Sequence, residues 1–318
     1  MKNEEIMLSI YIPTYNHEKY IKRALDSVFS QKTKYKYEVL VGEDCSTDNT
    51  KQILKEYERE HSEYVKSGVL HILYRKDNMH QKKPDNADDL KARCKGKYII
   101  ALEGDDYWID DNKIKAQIDF LESNPQYIAV AHNCLVVDEN GNANGELYPE
   151  CKEKEYTWLH FMHNILPGQF TTVMYRNIYV NKNINLSLIS KGLTPGDRLI
   201  YAVLLSNGKI CCMQKIMSAY RHVTTQGTSF SATNKYNFKE KNLWYRELLS
   251  YLKTVDLKRQ RYGEILYMRC LLKGVKAKQC SYKELLKNIE IIDHKLYSFI
   301  KWVIYKIRKD ILHQKKWV

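Results

Sequence analysis

The sequence predicts an α/β fold: a mostly parallel sheet with helices on both faces, followed by a basic helical C-terminal region. Three observations carry that expectation. Apolar runs of strand length alternate four times with helical patterns. Each run is apolar almost throughout, the pattern of strands buried on both faces. The charge then changes along the chain. Residues 1–230 hold 30 Lys+Arg and 30 Asp+Glu, whereas residues 231–318 hold 21 and 8, so the net +13 lies entirely in the last 88 residues. That change places a domain boundary near residue 230, giving domains 1–230 and 231–318.

Taken in order, Leu8–Ile12 reads as a first buried strand, broken by Pro13-Thr14-Tyr15-Asn16. Tyr20, Ile21, Ala24, Leu25, Val28 and Phe29 show helical spacing within Glu18–Gln31. Tyr37–Val41 is a second strand ending in Gly42-Glu43-Asp44-Cys45-Ser46, and a helix runs from Thr50 to about His61 with Asp48, Asn49 or Thr50 as its cap. Val69–Tyr74 is a third strand, Lys76–Asp89 a polar loop, Ala87–Cys94 a helix and Tyr98–Leu102 the fourth strand. Lys113–Leu121 reads as a helix, Ile128–Asp138 as a longer strand, and Trp158–Ile165 as a helix. Thr171–Tyr175 and Ile216–Ala219 read as strands, Phe238–Leu252 and Gly263–Lys273 as helices.

The fourth strand delivers Glu103, Asp105 and Asp106 to its carboxyl end. Carboxylates this close raise each other's pKa unless a cation or donor is near. A hard divalent metal carrying a diphosphate meets that need, because Mg²⁺ and Mn²⁺ take oxygen ligands and share them with substrate phosphates. Gly104 allows a tight turn or close ligand approach. The plainer alternative is a solvated acidic turn with Asp110 or Asp111 capping the next helix. Ligands of open parallel sheets lie beyond the carboxyl ends of the strands. Three polar clusters fall at such ends, Pro13–Asn16, Glu43–Ser46 and Glu103–Asp106, and a nucleotide crossing them is the natural ligand.

Three stretches make the pattern specific: IPTYNHEKYIKRALDSVFSQ, YEVLVGEDCSTDNT and GKYIIALEGDDYWIDDNKIKAQIDFLESNP. With them the chain resembles a family 2 glycosyltransferase of GT-A fold, closely over about the first 130 residues and more loosely to about residue 230. The resemblance implies a nucleotide-sugar half of about 1–110 and an acceptor half of about 111–230. It implies an inverting, metal-dependent transfer from a nucleotide-sugar donor, UDP-linked by the Asp44 assignment, to a glycan or lipid-linked acceptor in surface polysaccharide synthesis.

Residue roles follow position by position. The resemblance sets Pro13, Thr14, Tyr15 and Asn16 against base and ribose, with Asn16 also placed to cap the next helix. It gives Asp44 the uracil N3–H, which a carboxylate accepts and which cytosine does not offer. Glu43 beside it is a second nucleotide contact or an acceptor for loop amides. Arg75 is a partner of base or phosphates, or a surface arginine. His80 stands where an Asn-x-Gly stretch begun at Asn78 would have Gly. Glu103 and Gly104 border the ribose, and Asp105 and Asp106 are metal ligands for Mn²⁺ or Mg²⁺. Asp197, at the start of an apolar helix after Gly196, is the catalytic base or a helix cap. The resemblance makes His222 a further metal ligand, with a structural histidine as the alternative, and Arg221 a phosphate partner. Thr171 and Thr172 face substrate or pack in a strand. The loop Thr224–Ala232, with Ser229, is expected to order over the donor.

In the C-terminal region Leu285, Ile289, Ile292, Leu296, Ile300, Val303, Ile307 and Ile311 form an amphipathic stripe. Lys295, Lys301, Lys306, Arg308, Lys309, Lys315 and Lys316 lie near it with Trp302, Tyr305 and Trp317. Such a face suits an anionic membrane surface, or packs on the catalytic domain or another subunit. No run of 18 apolar residues exists, Met7–Ile12 is too short for a signal peptide, and eight scattered cysteines lack metal-ligand spacing. The expectation is a cytoplasmic protein with reduced thiols, peripheral on the inner face of the plasma membrane. The basic tail alone permits nucleic-acid binding, but no motif of that class is present and the first 230 residues are neutral. A nucleotidyltransferase is disfavoured because PTYNHEKY lacks a Gly-rich basic phosphate loop. A catalytically silent sugar-nucleotide binder is the remaining alternative.

Overall fold

The computed structural model describes residues 5–80, 82, 84–148, 151–193, 195–222 and 237–311, without the side chains of residues 144 and 305–311. The chain forms two compact units: residues 1–157, 165–184 and 207–223, and residues 158–164, 185–206 and 224–318.

The first unit is built on one sheet. Its elements begin β1 (Leu8–Thr14), α1 (Ile21–Phe29), β2 (Tyr37–Glu43), α2 (Thr50–Glu60), α3 (Ser62–Lys66), β3 (Leu70–Tyr74), α4 (Asn86–Arg93) and β4 (Tyr98–Ala101). They continue with β5 (Tyr107–Trp108), α5 (Lys113–Ser123), β6 (Tyr127–Val137), β7 (Ala143–Leu147) and β8 (Glu155–Tyr156). The sheet order is β3-β2-β1-β4, then β9 (Met174–Arg176), β6, β10 (Lys209–Arg221) and β5. β1 pairs parallel with β2 and β4, and β2 with β3. Leu8, Ile10 and Ile12 of β1 are fully buried, so this strand is the spine that the alternating pattern calls for. β6 and β10 are also parallel, but β9 runs antiparallel between β4 and β6. The β9–β6–β10 side of the sheet is therefore mixed. Gly96 ahead of β4 is forced by contact, since a Cβ there would lie 2.5 Å from Ser9 N. Its N–H donates to Ser9 Oγ, which donates to Glu38.

Two local expectations are corrected. Thr171 and Thr172 lie in a 3₁₀ turn, Phe170–Thr172, and the strand begins only at Met174. The helix at Lys113 is capped by neither aspartate. Asp110 accepts from the Asn112 N–H before the helix, and Asp111 pairs with Lys32.

The second unit holds α6 (Trp158–Met162), α7 (Gly196–Asn207), α8 (Phe238–Lys253), α9 (Leu257–Lys276), α10 (Tyr282–Ile289) and α11 (Lys295–Ile311). Phe238, Leu249, Tyr267, Leu271 and Ile292 form its core. The amphipathic stripe read as continuous is split between α10 and α11 by residues 290–294. Asn237, Asp256 and Ser281 cap their helices, Ser281 in a reciprocal box with Glu284. No disulfide joins any of the eight cysteines. No helix among the described residues is long and apolar enough to cross a membrane.

Candidate active site

The carboxyl ends of β1, β2 and β4 lie side by side, because these strands are neighbours in the sheet. At the end of β1, Thr14 is buried and Tyr15 is 40% exposed. Asn16 adopts φ 56°, a left-handed turn that asparagine tolerates. Its N–H donates to Ser46 Oγ and its Oδ1 accepts the Thr47 N–H at 2.8 Å. Asn16 thus laces the first loop to the second and does not cap α1, whose N-cap is Tyr20. Glu18 and Asp48 repeat the lacing, Asp48 accepting the Glu18 N–H and Glu18 the Asn49 N–H.

At the end of β2, Glu43 is fully buried. Its Oε1 accepts the Ser46 N–H at 2.6 Å, and its buried Oε2 has no hydrogen-bond partner among the described residues. Asp44 donates its N–H to Thr14 O and accepts the Met79 N–H on Oδ1 at 2.7 Å. Burial raises the Asp44 carboxyl above its usual range, against the Met79 N–H and the Arg75 charge. Asn78 Nδ2 donates to Asp44 O, fixing the loop that carries His80. Arg75 turns inward: Nε donates to Asn86 Oδ1 at 3.0 Å and Nη2 pairs with Asp89 at 2.7 Å. Asn86 in turn donates to Gly42 O. Arg75 braces the end of β2, and its pairing with Asp89 was not legible from its place after β3.

At the end of β4, Leu102 N–H donates to Tyr11 O and the Asp106 N–H closes a turn onto Glu103 O. Glu103 and Asp105 are half-buried, and Gly104 and Asp106 are buried. Asp106 Oδ1 accepts the Arg221 N–H at 2.8 Å, and Oδ2 lies 3.3 Å from Thr171 Oγ1 and 3.4 Å from Gln169 Nε2. Burial, then Asp105 and Glu103, push the Asp106 carboxyl well above the usual range. The same burial and charges raise the Tyr220 hydroxyl to about 12.

The expectation of Arg221 as a phosphate partner differs from its observed setting. Its buried guanidinium donates to the carbonyls of Asp105, Asp138 and Glu139 at 3.0, 2.8 and 2.7 Å and stacks 4.2 Å from the Tyr20 ring centroid. The physical reason is that bare carbonyls at two turns need donors inside the fold. His222 is exposed, with its N–H on Val137 O and its ring against Tyr220. Among the described residues, no group of three His, Cys, Asp or Glu side chains is gathered to hold a metal ion, so Asp105, Asp106 and His222 do not meet as a ready set. The loop Thr224–Ala232 with Ser229 lies outside the described residues.

Sequence reasoning missed His17. Its Nδ1 is 3.1 Å from Thr14 Oγ1, and it lies over Gly104. Burial lowers its basicity, opposed by the Asp105 and Asp48 carboxylates. Gln169 was missed as well, since it lies 63 residues from the aspartate it meets.

Asp197 belongs to the second unit, in the first turn of α7. Its Oδ1 accepts the Arg198 N–H at 2.7 Å, and burial raises its carboxyl. Arg198 is held by Asn164 Oδ1, Phe161 O and the faces of Phe161 and Trp244.

Comparisons with known proteins agree with this architecture. An uncharacterized protein of Mycobacterium tuberculosis is 26% identical over 214 residues, covering 67% of this chain and 58% of its own length. The putative teichuronic acid biosynthesis glycosyltransferase TuaG of Bacillus subtilis is 31% identical over 121 residues, 38% of this chain and 44% of that protein. The chain thus spans about half the length of these relatives. The crystal structure of Staphylococcus aureus TarS 1–349 in complex with UDP-GlcNAc superposes with TM-score 0.61 at 18% identity, covering 94% of this chain and 88% of that one. The fold is therefore the GT-A-like arrangement that the family resemblance implied, with a helical C-terminal region. The family model for glycosyl transferase family 2 matches residues 9–179, more than half of the chain, and the chain belongs to that family.

Proposed function

We propose that this protein transfers a sugar from a UDP-linked donor to a hydroxyl of a glycan or lipid-linked acceptor, with inversion, in bacterial surface polysaccharide synthesis. The observation that carries the reading is the juxtaposition of buried Asp44 at the end of β2 with the Glu103–Asp106 turn at the end of β4, on either side of Thr14. The complex of TarS with UDP-GlcNAc, and its description as a poly(ribitol-phosphate) β-N-acetylglucosaminyltransferase, support the choice of donor class.

The acidic turn offers the oxygen ligands that a divalent ion prefers, although it and His222 are not gathered as a ready set among the described residues. Three carboxylates crowd one turn, and the Arg221 guanidinium beside them is directed to backbone carbonyls. Burial first, then the Asp105 and Glu103 charges, raises the Asp106 carboxyl. Asp105 and Asp106, with His222, would hold Mn²⁺ or Mg²⁺, which supplies charge neutralisation for a leaving diphosphate. The chain's own groups do the rest. Asp44 Oδ2 accepts the uracil N3–H while Oδ1 stays on Met79, and Tyr15 offers an exposed ring to the base. Thr14, Asn16 and Glu43 fix the loops, with Pro13 and Gly104 shaping the approach. Asp197, made more basic by burial, takes the acceptor proton as the acceptor oxygen bonds the anomeric carbon and the bond to the diphosphate breaks.

The second unit offers a route to lipid-linked acceptors. Leu296, Phe299, Ile300 and Ile304 of α11 are 40–73% exposed beside Lys295 and Lys301. Such a helix lies on an anionic membrane surface from the cytoplasmic side. Calorimetric titration of UDP with and without Mn²⁺, on wild type and Asp105→Ala, tests the donor site. Metal-dependent binding lost in the variant supports it, and no UDP binding in the presence of metal refutes the uracil assignment. Donor hydrolysis separates an active enzyme from a silent binder.

A further inference from the structure

His17 follows the left-handed Asn16 and precedes α1. Its backbone N–H is fixed on Thr50 Oγ1 at 2.8 Å, and its carbonyl accepts from Tyr20 and Ile21. The imidazole therefore has a rigid base. It reaches across to the acidic turn: a methyl group on Gly104 would sit 2.5 Å from His17 Nδ1 and 2.7 Å from Thr14 Oγ1. The two side chains also meet each other at 3.1 Å. One helical turn on, Tyr20 stacks under Arg221, whose Nε holds the Asp105 carbonyl. The start of α1 thus touches the Glu103–Asp106 turn at two points, through His17 on Gly104 and through Tyr20 and Arg221 on Asp105.

We propose that His17 is a positioning residue of the donor site, acting through Nδ1 on Thr14 and Gly104 to hold the Glu103–Gly104–Asp105 turn in its binding geometry. The proposal rests on the nucleotide-sugar reading above. It explains why position 104 has no side chain, since the space is filled by the ring. Outer partners of this kind orient the groups that hold a ligand, and their loss lowers its affinity.

The test is UDP titration in Mn²⁺ on the full chain, with thermal midpoints of the free proteins alongside. His17→Ala is expected to weaken UDP about tenfold, the range seen for supporting partners of bound ions. His17→Asn places an amide atom where Nδ1 stands and is expected to recover most of that loss. His17→Gln places one where Nε2 stands and is expected to recover little. Rescue by Gln rather than Asn overturns the proposal in favour of direct ligand contact through Nε2. Unchanged affinity in His17→Ala overturns any role at the site. If His17→Ala fails to fold, the Asn and Gln pair decides alone. Wild-type protein that binds neither UDP, GDP nor dTDP sinks the nucleotide-sugar reading itself, and this inference with it.

Discussion

The Arg221 N–H donates to Asp106 Oδ1 at 2.8 Å, while the Arg221 guanidinium, on the same residue, is directed to backbone carbonyls. A buried carboxylate is thus held by neutral donors beside two further acids. The folded carboxyl keeps its proton to a higher pH than the unfolded one. Stability of the metal-free protein therefore falls as pH rises from the ordinary carboxylate range through the raised folded pKa, then levels. Asp106→Asn removes the charge and keeps an acceptor for Arg221. Urea unfolding in chelator should show the variant more stable than wild type at pH 8. The gain should shrink at pH 5. Added Mn²⁺ should stabilise wild type and leave the variant unmoved. A variant less stable than wild type at pH 8 would show that the charged form is compensated.

Lys113 is fully buried in the first turn of α5, its Nζ 2.7 Å from Gln117 Oε1 and above the Trp108 ring. A neutral amide is a weak partner for an ammonium, and burial drives its pKa well below the ordinary lysine value. Between the folded and unfolded pKa values the unfolded chain binds the extra proton, so stability rises with pH. Lys113→Met should abolish that slope. Comparing the two proteins by urea unfolding below the ordinary lysine pKa, wild type should gain on the variant as pH rises, by at most about 1.4 kcal/mol per pH unit. Parallel pH profiles would mean that the buried amine keeps its proton.

The strands and the acidic turn were legible because their signals are local. A short apolar run ending in carboxylates reads the same wherever the sheet carries it. The fate of each charge was not legible, because it depends on partners distant in sequence. Arg75 and Arg221 stand beside strand ends and read as phosphate partners, yet each meets groups supplied by other elements, Asp89 of α4 for one and the turn at Asp138 for the other. Asn16 reads as a helix cap from its spacing, but the second loop supplies Thr47 as a better partner. His17 gave no signal at all. Only the absence of a Cβ at Gly104 hinted at a close neighbour there, and it could not say which. The tail's charge, in turn, does not report that residues 158–164 and 185–206 join the C-terminal helices in one unit.

Asn86 joins three elements: Nδ2 donates to Gly42 O at 2.8 Å and Oδ1 accepts from Arg75 Nε. It is buried, and a Cβ at Gly42 would come 2.3 Å from its Oδ1. Asn86→Ala leaves a buried carbonyl without its donor and frees Arg75 from one side. The expected loss is about 1–3 kcal/mol of stability by denaturant unfolding. UDP affinity should weaken too, since the Arg75 N–H is on Glu43 O at the end of β2. A loss of stability with unchanged UDP binding would confine Asn86 to folding.

Asp197 separates two readings by a single conservative change. Its Oδ1 accepts the Arg198 N–H in the first turn of α7, where a carboxylate or a carboxamide satisfies the helix equally well. Asparagine cannot take a proton from an acceptor hydroxyl. If Asp197 is the base, Asp197→Asn should lower kcat by about 10²–10⁴-fold while UDP affinity and thermal midpoint stay near wild type. Burial raises the carboxyl, so the wild-type rate should also fall on the acid side at a pH above the ordinary carboxylate range, as the base takes up its proton before the acceptor can give one. If Asp197 only supports the helix, the asparagine variant should transfer sugar at the wild-type rate. Steady-state transfer from a UDP-sugar, measured beside calorimetric UDP binding on the same preparations, tells these outcomes apart.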